Sequence, residues 1–216
     1  MKYKLAIFDL DGTILNTLDD LHDSVNYALE KSGYPQRTLE EVRRFVGNGI
    51  RKLVERALPE GVTTEAADKV FTDFNLHYKI NSSNKTRPYD GINELVLRLR
   101  ECGMKTAVLT NKADYAAQDL CKEYFPNLFD YVAGEKQGVN RKPSPDGVIN
   151  ILSQLNINKS DAVYIGDSEV DVMTARNSGL DHIIVTWGFR HRDELAKAGA
   201  KVIASTPNEV FGIITE

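Results

Sequence analysis

The stretch that decides the fold is residues 5–13, which read Leu-Ala-Ile-Phe-Asp-Leu-Asp-Gly-Thr. Its apolar first half is typical of a buried strand, and two carboxylates follow. Side chains two apart on a strand point to the same side, so Asp9 and Asp11 face one direction, about 6–7 Å apart along the chain. Gly12 lets the backbone leave the strand in a conformation that other residues resist. Two such acids can act as nucleophile and general acid; a solvated strand end is the alternative.

Five further apolar segments rich in β-branched residues predict buried strands. With the first, at 5–10, they lie at 105–110, 131–134, 162–166, 182–186 and 201–204. Helical patterns separate them, at 92–99, after Lys112, at 145–155 and from about Ser168. Strands that alternate with helices and are apolar on both faces predict an α/β fold, with a Rossmann-like parallel sheet between helical layers.

The interval 15–82 breaks this alternation, because it contains four helical patterns and no convincing strand. The patterns lie at 18–29, 38–46, 50–58 and 66–78. We therefore predict an all-helical domain at 15–82, inserted into a catalytic core formed by 1–14 and 83–216. Both ends of the insert leave from the neighbourhood of the first strand, which suits a cap that closes over a site at that strand's end.

A second pair of acids, Asp167 and Asp171, follows the predicted strand at 162–166. If Ser168 starts a helix, Asp167 lies at the strand end and Asp171 lies in the first helical turn on the same side. Carboxylates so placed are hard oxygen ligands that suit Mg²⁺. The alternative is an acidic helix start favoured by the helix dipole, and we accept that interpretation for Glu169.

Two further places carry groups that suit an anion. Thr110 and Asn111 offer a hydroxyl and amide N–H groups where a strand gives way to a helix, although a helix cap alone would look the same. Lys142 lies in a loop stiffened by two prolines, where a fixed ammonium could neutralise phosphate; taken alone, it is typical of a solvated loop charge. The combination decides the interpretation, because every group falls at a strand end or in the loop after one.

This ordered set closely resembles the four motifs of the haloacid dehalogenase-like superfamily of phosphohydrolases. The matching positions are Asp9-x-Asp11-x-Thr13, Thr110, Lys142 and Gly166-Asp167-x-x-x-Asp171. The helical insert after the first motif resembles the first cap class of that superfamily. Within this class, the phrases at 8–13, 45–49, 87–91 and 186–188 are similar to those of phosphoglycolate phosphatases.

The resemblance implies a magnesium-dependent phosphatase for a small phosphate ester, in which Asp9 becomes an aspartyl phosphate. Asp11 would protonate the leaving alkoxide and then activate the hydrolytic water. The phosphoryl oxygens would be held by Thr110, Lys142 and amides near Gly12 and Asn111. The metal would be held by Asp9, the backbone carbonyl of Asp11, and Asp167, with Asp171 as a direct or indirect partner. The charges of these groups agree with an implied metal and lysine. Two carboxylates and a phosphate dianion bring about four negative charges together and require cations.

The helical insert should supply substrate choice, since the core contacts only the phosphate. Its glycine-flanked break at Gly47 and Asn48 could point backbone amides and the Asn48 side chain at the leaving group. Arg44 and Arg51 flank the break and could meet a carboxylate such as that of phosphoglycolate. Solvated helix arginines are the alternative for each of them.

Several other functions fit parts of the pattern. A sugar phosphomutase of the β-phosphoglucomutase type would need a histidine ten residues after Asp11, where this chain has Leu21, with His22 one place along. A pyrophosphatase or nucleotidase of the same fold would keep the core residues. A receiver module that accepts phosphate lacks a helical insert of this size, and haloacid dehalogenation would leave Asp11 and Mg²⁺ without a use.

Composition disfavours some classes of protein. The 216 residues are 42% hydrophobic and carry a formal net charge of −4, which argues against a general nucleic-acid binder. No apolar run approaches the roughly 20 residues of a membrane span, and Asp9 comes too early for a signal peptide. Cys102 and Cys121 fit no metal-ligand spacing. We therefore expect a cytoplasmic enzyme, a monomer or homodimer, with no nucleic-acid or membrane partner.

Overall fold

A six-stranded parallel sheet forms the centre of the fold in the computed structural model, which describes residues 2–216. The strands are β1 (Leu5–Phe8), β2 (Leu15–Asn16), β3 (Arg87–Pro88), β4 (Lys105–Ala113), β5 (Tyr131–Glu135), β6 (Ala162–Gly166), β7 (Asp181–Val185) and β8 (Ile203–Ala204). The order in the sheet is β5-β4-β1-β6-β7-β8, and its paired strands run parallel. The two-residue strands β2 and β3 lie outside this sheet.

The helices alternate with the strands except in one interval. They are α1 (Leu18–Lys31), α2 (Leu39–Phe45), α3 (Ile50–Ala57), α4 (Thr64–Asn81), α5 (Ile92–Glu101), α6 (Asp114–Tyr124), α7 (Asp146–Leu155), α8 (Glu169–Ser178), α9 (Arg192–Lys197) and α10 (Pro207–Thr215), with a 3₁₀ turn at Lys159–Asp161. The chain divides into two compact units. One joins the N-terminal segment up to Leu15 with Pro88–Glu216 and contains the six-stranded sheet; the other is Asn16–Arg87 and contains α1 to α4.

Strand β1 lies between β4 and β6 and carries the first acid pair after its C-terminal end. Ala6 and Phe8 belong to one apolar core, whereas Leu5 and Ile7 belong to another. Residues from α5, α6 and α10 complete the first core, and residues from α7 and α8 complete the second. The alternation of side chains along β1 therefore fills two cores, and helices cover both faces of the sheet.

Beside its buried apolar side chains, the helical unit contains a helix cap and one buried acid that fix local structure. Thr38 starts α2 with a capping box, in which its side chain accepts from the Glu41 N–H and the Glu41 side chain accepts from the Thr38 N–H. Asp20 in α1 is buried, and its Oδ2 accepts from the Lys85 and Thr86 N–H groups at 3.0 and 2.8 Å. These bonds join the returning chain to the first helix of the unit.

The structure confirms the predicted fold class, a parallel α/β sheet with helical layers. The predicted domain limits, 1–14 with 83–216 and 15–82, stay a prediction, as does a cap role for the helical unit. β4 continues to Ala113, three residues beyond its predicted end, and β2 introduces a two-residue strand at the start of the interval predicted to lack one. The short helices α9 and α10 were not predicted. Among residues 2–216, no helix has both the length and the apolar character that a membrane span needs.

Candidate active site

The predicted site residues lie at the C-terminal ends of three neighbouring strands. Asp9 follows β1, Asp167 follows β6, and Thr110 lies in the last part of β4. Because these strands are parallel and adjacent, their C-terminal ends meet at one edge of the sheet. The Lys142 loop reaches the same edge, since the Lys142 N–H donates to Asn111 Oδ1 at 2.8 Å and Asn111 Nδ2 donates to the Lys142 carbonyl at 3.1 Å.

The centre of the site is a cluster of three buried carboxylates. One oxygen each of Asp9, Asp167 and Asp171 lies within 4.8 Å of the others. The three residues are 7%, 1% and 0% exposed. Like charges buried this close repel each other, so cations must compensate them. Hard oxygen donors in this arrangement could hold a divalent metal ion.

Lys142 supplies one cation inside this cluster. Its Nζ lies 2.8 Å from Asp9 Oδ1 and 2.9 Å from Asp171 Oδ1, and it donates to the Tyr164 hydroxyl at 3.2 Å. The Lys142 side chain is only 3% exposed. Burial acts to lower the pKa of Lys142, but Asp171 and Asp9 raise it well above its usual value, so the ammonium keeps its charge.

The carboxylates themselves are perturbed by this crowding. Burial raises the pKa of Asp9 well above its usual range; Lys142 opposes the rise, whereas Asp171 and Asp167 add to it. Burial, followed by the charge of Asp171, raises the pKa of Asp167 to about 7. The Phe189 N–H acts in the opposite direction, since it donates to Asp167 Oδ2 at 2.7 Å. A divalent ion among these oxygens would stabilise their charged forms.

Asp171 is held by protein donors on both of its oxygens. Oδ1 accepts from Lys142 Nζ at 2.9 Å and from the Tyr164 hydroxyl at 3.1 Å. Oδ2 accepts from the Asp167 N–H, the Ser168 N–H and the Ser168 hydroxyl at 3.2, 3.1 and 2.6 Å. The same carboxylate closes the capping box at the start of α8. Asp171 therefore fixes the Lys142 ammonium and the backbone at Asp167 in place.

The first motif is packed against the segment that follows β7. Thr13 Oγ1 donates to Asp167 Oδ1 at 3.2 Å, and Trp187 Nε1 donates to the Thr13 carbonyl at 3.0 Å. Gly12 has a φ of +86°, and a Cβ there would overlap the Asp167 carboxylate. A Cβ on Gly188 would overlap both the Gly12 carbonyl and Asp167. Gly12 is therefore required by its backbone conformation and by the space it leaves, and Gly188 is required by the close approach of the two segments.

Asp11 stands outside the carboxylate cluster, next to a second buried lysine. Its Oδ1 accepts from Lys112 Nζ at 2.9 Å, and the Lys112 N–H donates to Thr110 Oγ1 at 3.2 Å. The predicted acid and base role of the Asp11 side chain stays a prediction, as does metal binding by its backbone carbonyl. Its carboxylate is directed to a cation on β4, so the two acids of the first motif have different surroundings.

The family model described as haloacid dehalogenase-like hydrolase matches residues 6–185 of the chain. The chain belongs to this family. The match spans β1 to β7 and so includes the whole carboxylate cluster, Lys142 and the helical unit. It confirms the resemblance that the four motifs indicated.

Individual members of the haloacid dehalogenase-like family are similar over nearly the whole chain. A protein of Psychrobacter arcticus named phosphoglycolate phosphatase is 32% identical over 206 residues, which are 90% of this chain and 88% of that protein. A phosphoglycolate phosphatase of Cereibacter sphaeroides is 33% identical over 190 residues, 86% of each chain. A crystal structure from Lactobacillus delbrueckii subsp. bulgaricus, provisionally named a phosphoglycolate phosphatase, has a TM-score of 0.95 at 40% identity and covers 99% of both chains. These relatives confirm the prediction of an enzyme of the phosphatase class.

The helical-unit residues predicted to bind substrate in this hydrolase lie around the junction of α2 and α3. Arg44 Nε pairs with Glu40 at 3.0 Å, and Asn48 Oδ1 accepts from Arg56 at 2.7 Å. Gly47 has a φ of +127°, a conformation that favours glycine. Contact of these residues with a substrate stays a prediction, as do the substrate-binding roles of Gly12 and Asn111.

Some groups of the candidate site were not predicted from the sequence. Tyr164 reads as part of an apolar strand, although its hydroxyl contacts Lys142 and Asp171. The sequence does carry a signal for Lys112, because it lies two residues after Thr110 on the same strand and so on the same side of it. The Phe189 N–H carries no signal, since a backbone donor does not depend on the side chain.

Proposed function

We propose that this hydrolase is a magnesium-dependent phosphomonoester hydrolase that transfers a phosphoryl group to Asp9 and then to water. The observation that carries the proposal is the convergence of Asp9, Asp167 and Asp171 around the buried ammonium of Lys142. A site that only bound an anion would place donors, not three carboxylates, around it. Carboxylates gathered at such a place are suited to reaction and to metal binding.

Asp9 is the proposed nucleophile. Its Oδ1 accepts from the Leu10 N–H at 2.7 Å and from Lys142 Nζ at 2.8 Å, so its rotamer is fixed before substrate arrives. In the first step an Asp9 oxygen bonds to phosphorus, the ester bond breaks, and the leaving alkoxide takes a proton from Asp11. In the second step Asp11 removes a proton from water, which attacks phosphorus and releases phosphate and the free Asp9 carboxylate.

The donor set fits Mg²⁺, because it consists of buried carboxylate oxygens. Asp9, Asp167 and the Asp11 carbonyl would hold the ion, which supplies positive charge against the phosphoryl oxygens when bound. Asp171 acts indirectly in this scheme, since its two oxygens already accept from five protein donors. Thr110, Lys142 and the amides near Gly12 and Asn111 would hold the phosphoryl oxygens.

Phosphoglycolate is the proposed substrate. The support is the name shared by the relatives from P. arcticus and C. sphaeroides at 32% and 33% identity. In the helical unit, Arg44 would pair with the substrate carboxylate, and the backbone at Gly47 and Asn48 would contact the glycolate moiety. These groups would recognise the leaving group, whereas the sheet unit recognises the phosphate.

A panel of phosphate monoesters assayed with Mg²⁺ and with a chelator tests the proposal. We expect Mg²⁺-dependent phosphate release, with the highest kcat/KM for phosphoglycolate. Arg44→Met should raise the KM for phosphoglycolate and leave hydrolysis of p-nitrophenyl phosphate, which has no carboxylate, unchanged. Conversion of a hexose 1-phosphate to the 6-phosphate without phosphate release would instead identify a phosphomutase. Activity that survives complete removal of divalent ions would contradict the metal assignment.

A further inference from the structure

Lys112 is a buried cation that the proposed reaction has not yet used. Its side chain is 2% exposed, and its Nζ lies 2.9 Å from Asp11 Oδ1. Burying an ammonium is costly unless an anion is held against it, so this pair is a fixed part of the fold. Lys142, the other buried lysine of the described chain, contacts Asp9 and Asp171 instead. The two lysines therefore form ion pairs with different carboxylates.

The end of β4 places Lys112 by an irregularity in the strand. The pairing of β4 with β5 shifts register between Leu109 and Ala113, and such bulges redirect side chains at strand ends. Within this segment the Asn111 side chain holds the Lys142 loop, and Lys112 reaches Asp11. The Lys112 N–H also donates to Thr110 Oγ1. This short segment thus contains Thr110, which is proposed to hold the phosphoryl oxygens, and it contacts both the Lys142 loop and Asp11.

We propose that Lys112 is a positioning residue for Asp11 in the proposed phosphatase reaction, on which this inference rests. The Asp11 side chain can rotate about two bonds, and an ammonium held on Oδ1 also fixes the direction of Oδ2. Proton transfer needs the acid within hydrogen-bond reach of the leaving oxygen, so a fixed carboxylate direction raises the rate. Lys112 touches no reacting atom in this scheme and acts only through Asp11.

The inference predicts an effect that depends on the leaving group. Phosphoglycolate releases an alkoxide, which needs a proton, whereas p-nitrophenyl phosphate releases a stable phenolate, which does not. Lys112→Met should lower kcat/KM for phosphoglycolate on the order of 10- to 100-fold. For p-nitrophenyl phosphate, kcat/KM should stay within about threefold, because this parameter reports the steps up to phosphorylation of Asp9. A merely structural role would lower both values by the same factor.

A double-mutant cycle with Asp11→Asn is the decisive test of whether Lys112 acts through Asp11. If Lys112 acts through Asp11, Lys112→Met has no further effect on kcat/KM for phosphoglycolate in the Asp11→Asn background. Lys122→Met is the matched control, since Lys122 is exposed on the neighbouring helix α6. Lys112→Gln, which keeps a donor, should show a smaller loss with the same leaving-group dependence, and it replaces Lys112→Met in the cycle if circular dichroism shows that Lys112→Met does not fold.

The possible outcomes separate this inference from the function on which it rests. Equal losses on both esters, or a full additional loss in the Asp11→Asn background, would overturn the role of Lys112 and leave a wild-type phosphatase. Absence of Mg²⁺-dependent hydrolysis of either ester by the wild-type protein would overturn both. A selective loss on phosphoglycolate that vanishes in the Asp11→Asn background supports both.

Discussion

The two units of the protein differ in how their buried charges are clustered, although both carry exposed ion pairs, such as Lys2 with Asp181 in the sheet unit. In the sheet unit, Asp9, Asp167, Asp171 and Lys142 are buried together. In the helical unit, ion pairs lie at the surface, such as Glu40 with Arg43 and Arg44, Arg51 with Glu55, and Lys52 with Glu55. Exposed pairs contribute little to stability, whereas buried charge clusters cost stability unless they are fully compensated. The comparison supports the proposal that the buried cluster serves binding and reaction, whereas each of the surface pairs named here joins residues within one helix.

Asp20 shows that burial alone does not mark a reactive carboxylate. It is 2% exposed in the helical unit, but backbone N–H groups of Lys85 and Thr86 satisfy it. The metal-ligand groupings found among residues 2–216 do not include it. A lone buried acid with backbone donors is a structural connector, whereas acids that crowd each other around a lysine are suited to chemistry.

Among the substitutions that test this difference between the units, Asp9→Asn should have the largest effect, which is on kcat. The amide cannot attack phosphorus, so kcat for phosphoglycolate should fall by at least about 10³-fold. The fold should survive, because the substitution keeps the shape and removes one charge from a crowded cluster. Phosphate release and thermal unfolding measure the two effects.

Asp20→Asn is the control for Asp9→Asn. The substitution weakens the hydrogen bonds from the Lys85 and Thr86 N–H groups. It should therefore lower the unfolding temperature while the folded protein keeps its kcat. An Asp9→Asn protein with a near wild-type rate would exclude Asp9 as the nucleophile.

Of the substitutions proposed here, Lys142→Met should lower the free energy of unfolding the most. It leaves Asp9 and Asp171 as uncompensated buried charges, which costs about 3–5 kcal/mol of unfolding free energy. The loss should be smaller at pH 5 than at pH 8, because burial and the neighbouring acids raise the pKa of Asp9 and so favour its protonated form. Urea unfolding with a chelator present measures both values.

The matched control for Lys142→Met is Lys52→Met in the helical unit. Lys52 Nζ contacts Glu55 Oε2 at 2.7 Å, and the two side chains are 57% and 35% exposed. Removal of the Lys52 ammonium should have only a small effect at either pH. Equal destabilisation by the two substitutions would contradict the distinction between the units.

Asp167 should make the metal-free protein less stable as the pH rises. Burial, and then Asp171, raise the pKa of Asp167 from its usual 3.8 to about 7 in the folded state, against Lys142, Arg190 and the Phe189 N–H. Between these values the folded state binds the proton and the unfolded state does not, so stability falls with increasing pH, by at most about 4 kcal/mol. Asp167→Asn should flatten this slope, and Mg²⁺ should oppose it in the wild-type protein only. Urea titrations across this range, with chelator or Mg²⁺, check each part; a stability that rises with pH in chelator would contradict the effect.

Much of the site could be predicted because its side chains directly follow strands that sequence periodicity reveals. Parallel strands bring Asp9, Thr110 and Asp167 to one edge of the sheet, so their proximity follows from topology alone. The Lys142 loop needed more, because its place depends on two hydrogen bonds with Asn111.

The parts that could not be predicted depend on packing between elements distant in sequence. The Tyr164 hydroxyl becomes a site group only because Lys142 and Asp171 approach it from two other elements. The Phe189 N–H reaches Asp167 only because Gly188 lets the segment after β7 approach closely. The strand β4 extends to Ala113 through polar residues, which the apolar pattern of a buried strand does not include.

Glu40 gives the smallest expected effect and the opposite dependence on pH. Its hydrogen bonds with Arg43 and then Arg44 lower the pKa of Glu40 from 4.5 to about 2. Its contribution is therefore present above its unfolded pKa and is lost as the pH falls toward about 2, and solvent keeps that contribution small. Glu40→Gln should therefore lower the unfolding midpoint only slightly at neutral pH, and this small difference should shrink in acid and in high salt.

The decisive measurement compares Glu40→Gln with Asp167→Asn over the same pH range, in low and high salt. For Asp167→Asn, the gain in stability over the wild-type protein should grow between about pH 4 and pH 7 and persist in salt, because its charge is buried. For Glu40→Gln, the loss should shrink as acid protonates the wild-type glutamate. The opposite signs follow from the surroundings of each carboxylate, since one is crowded by other acids and the other is paired with arginines in water. If both substitutions shifted stability with the same sign and the same salt dependence, burial would not distinguish the two units, and the proposed reactivity of the buried cluster would lose its support.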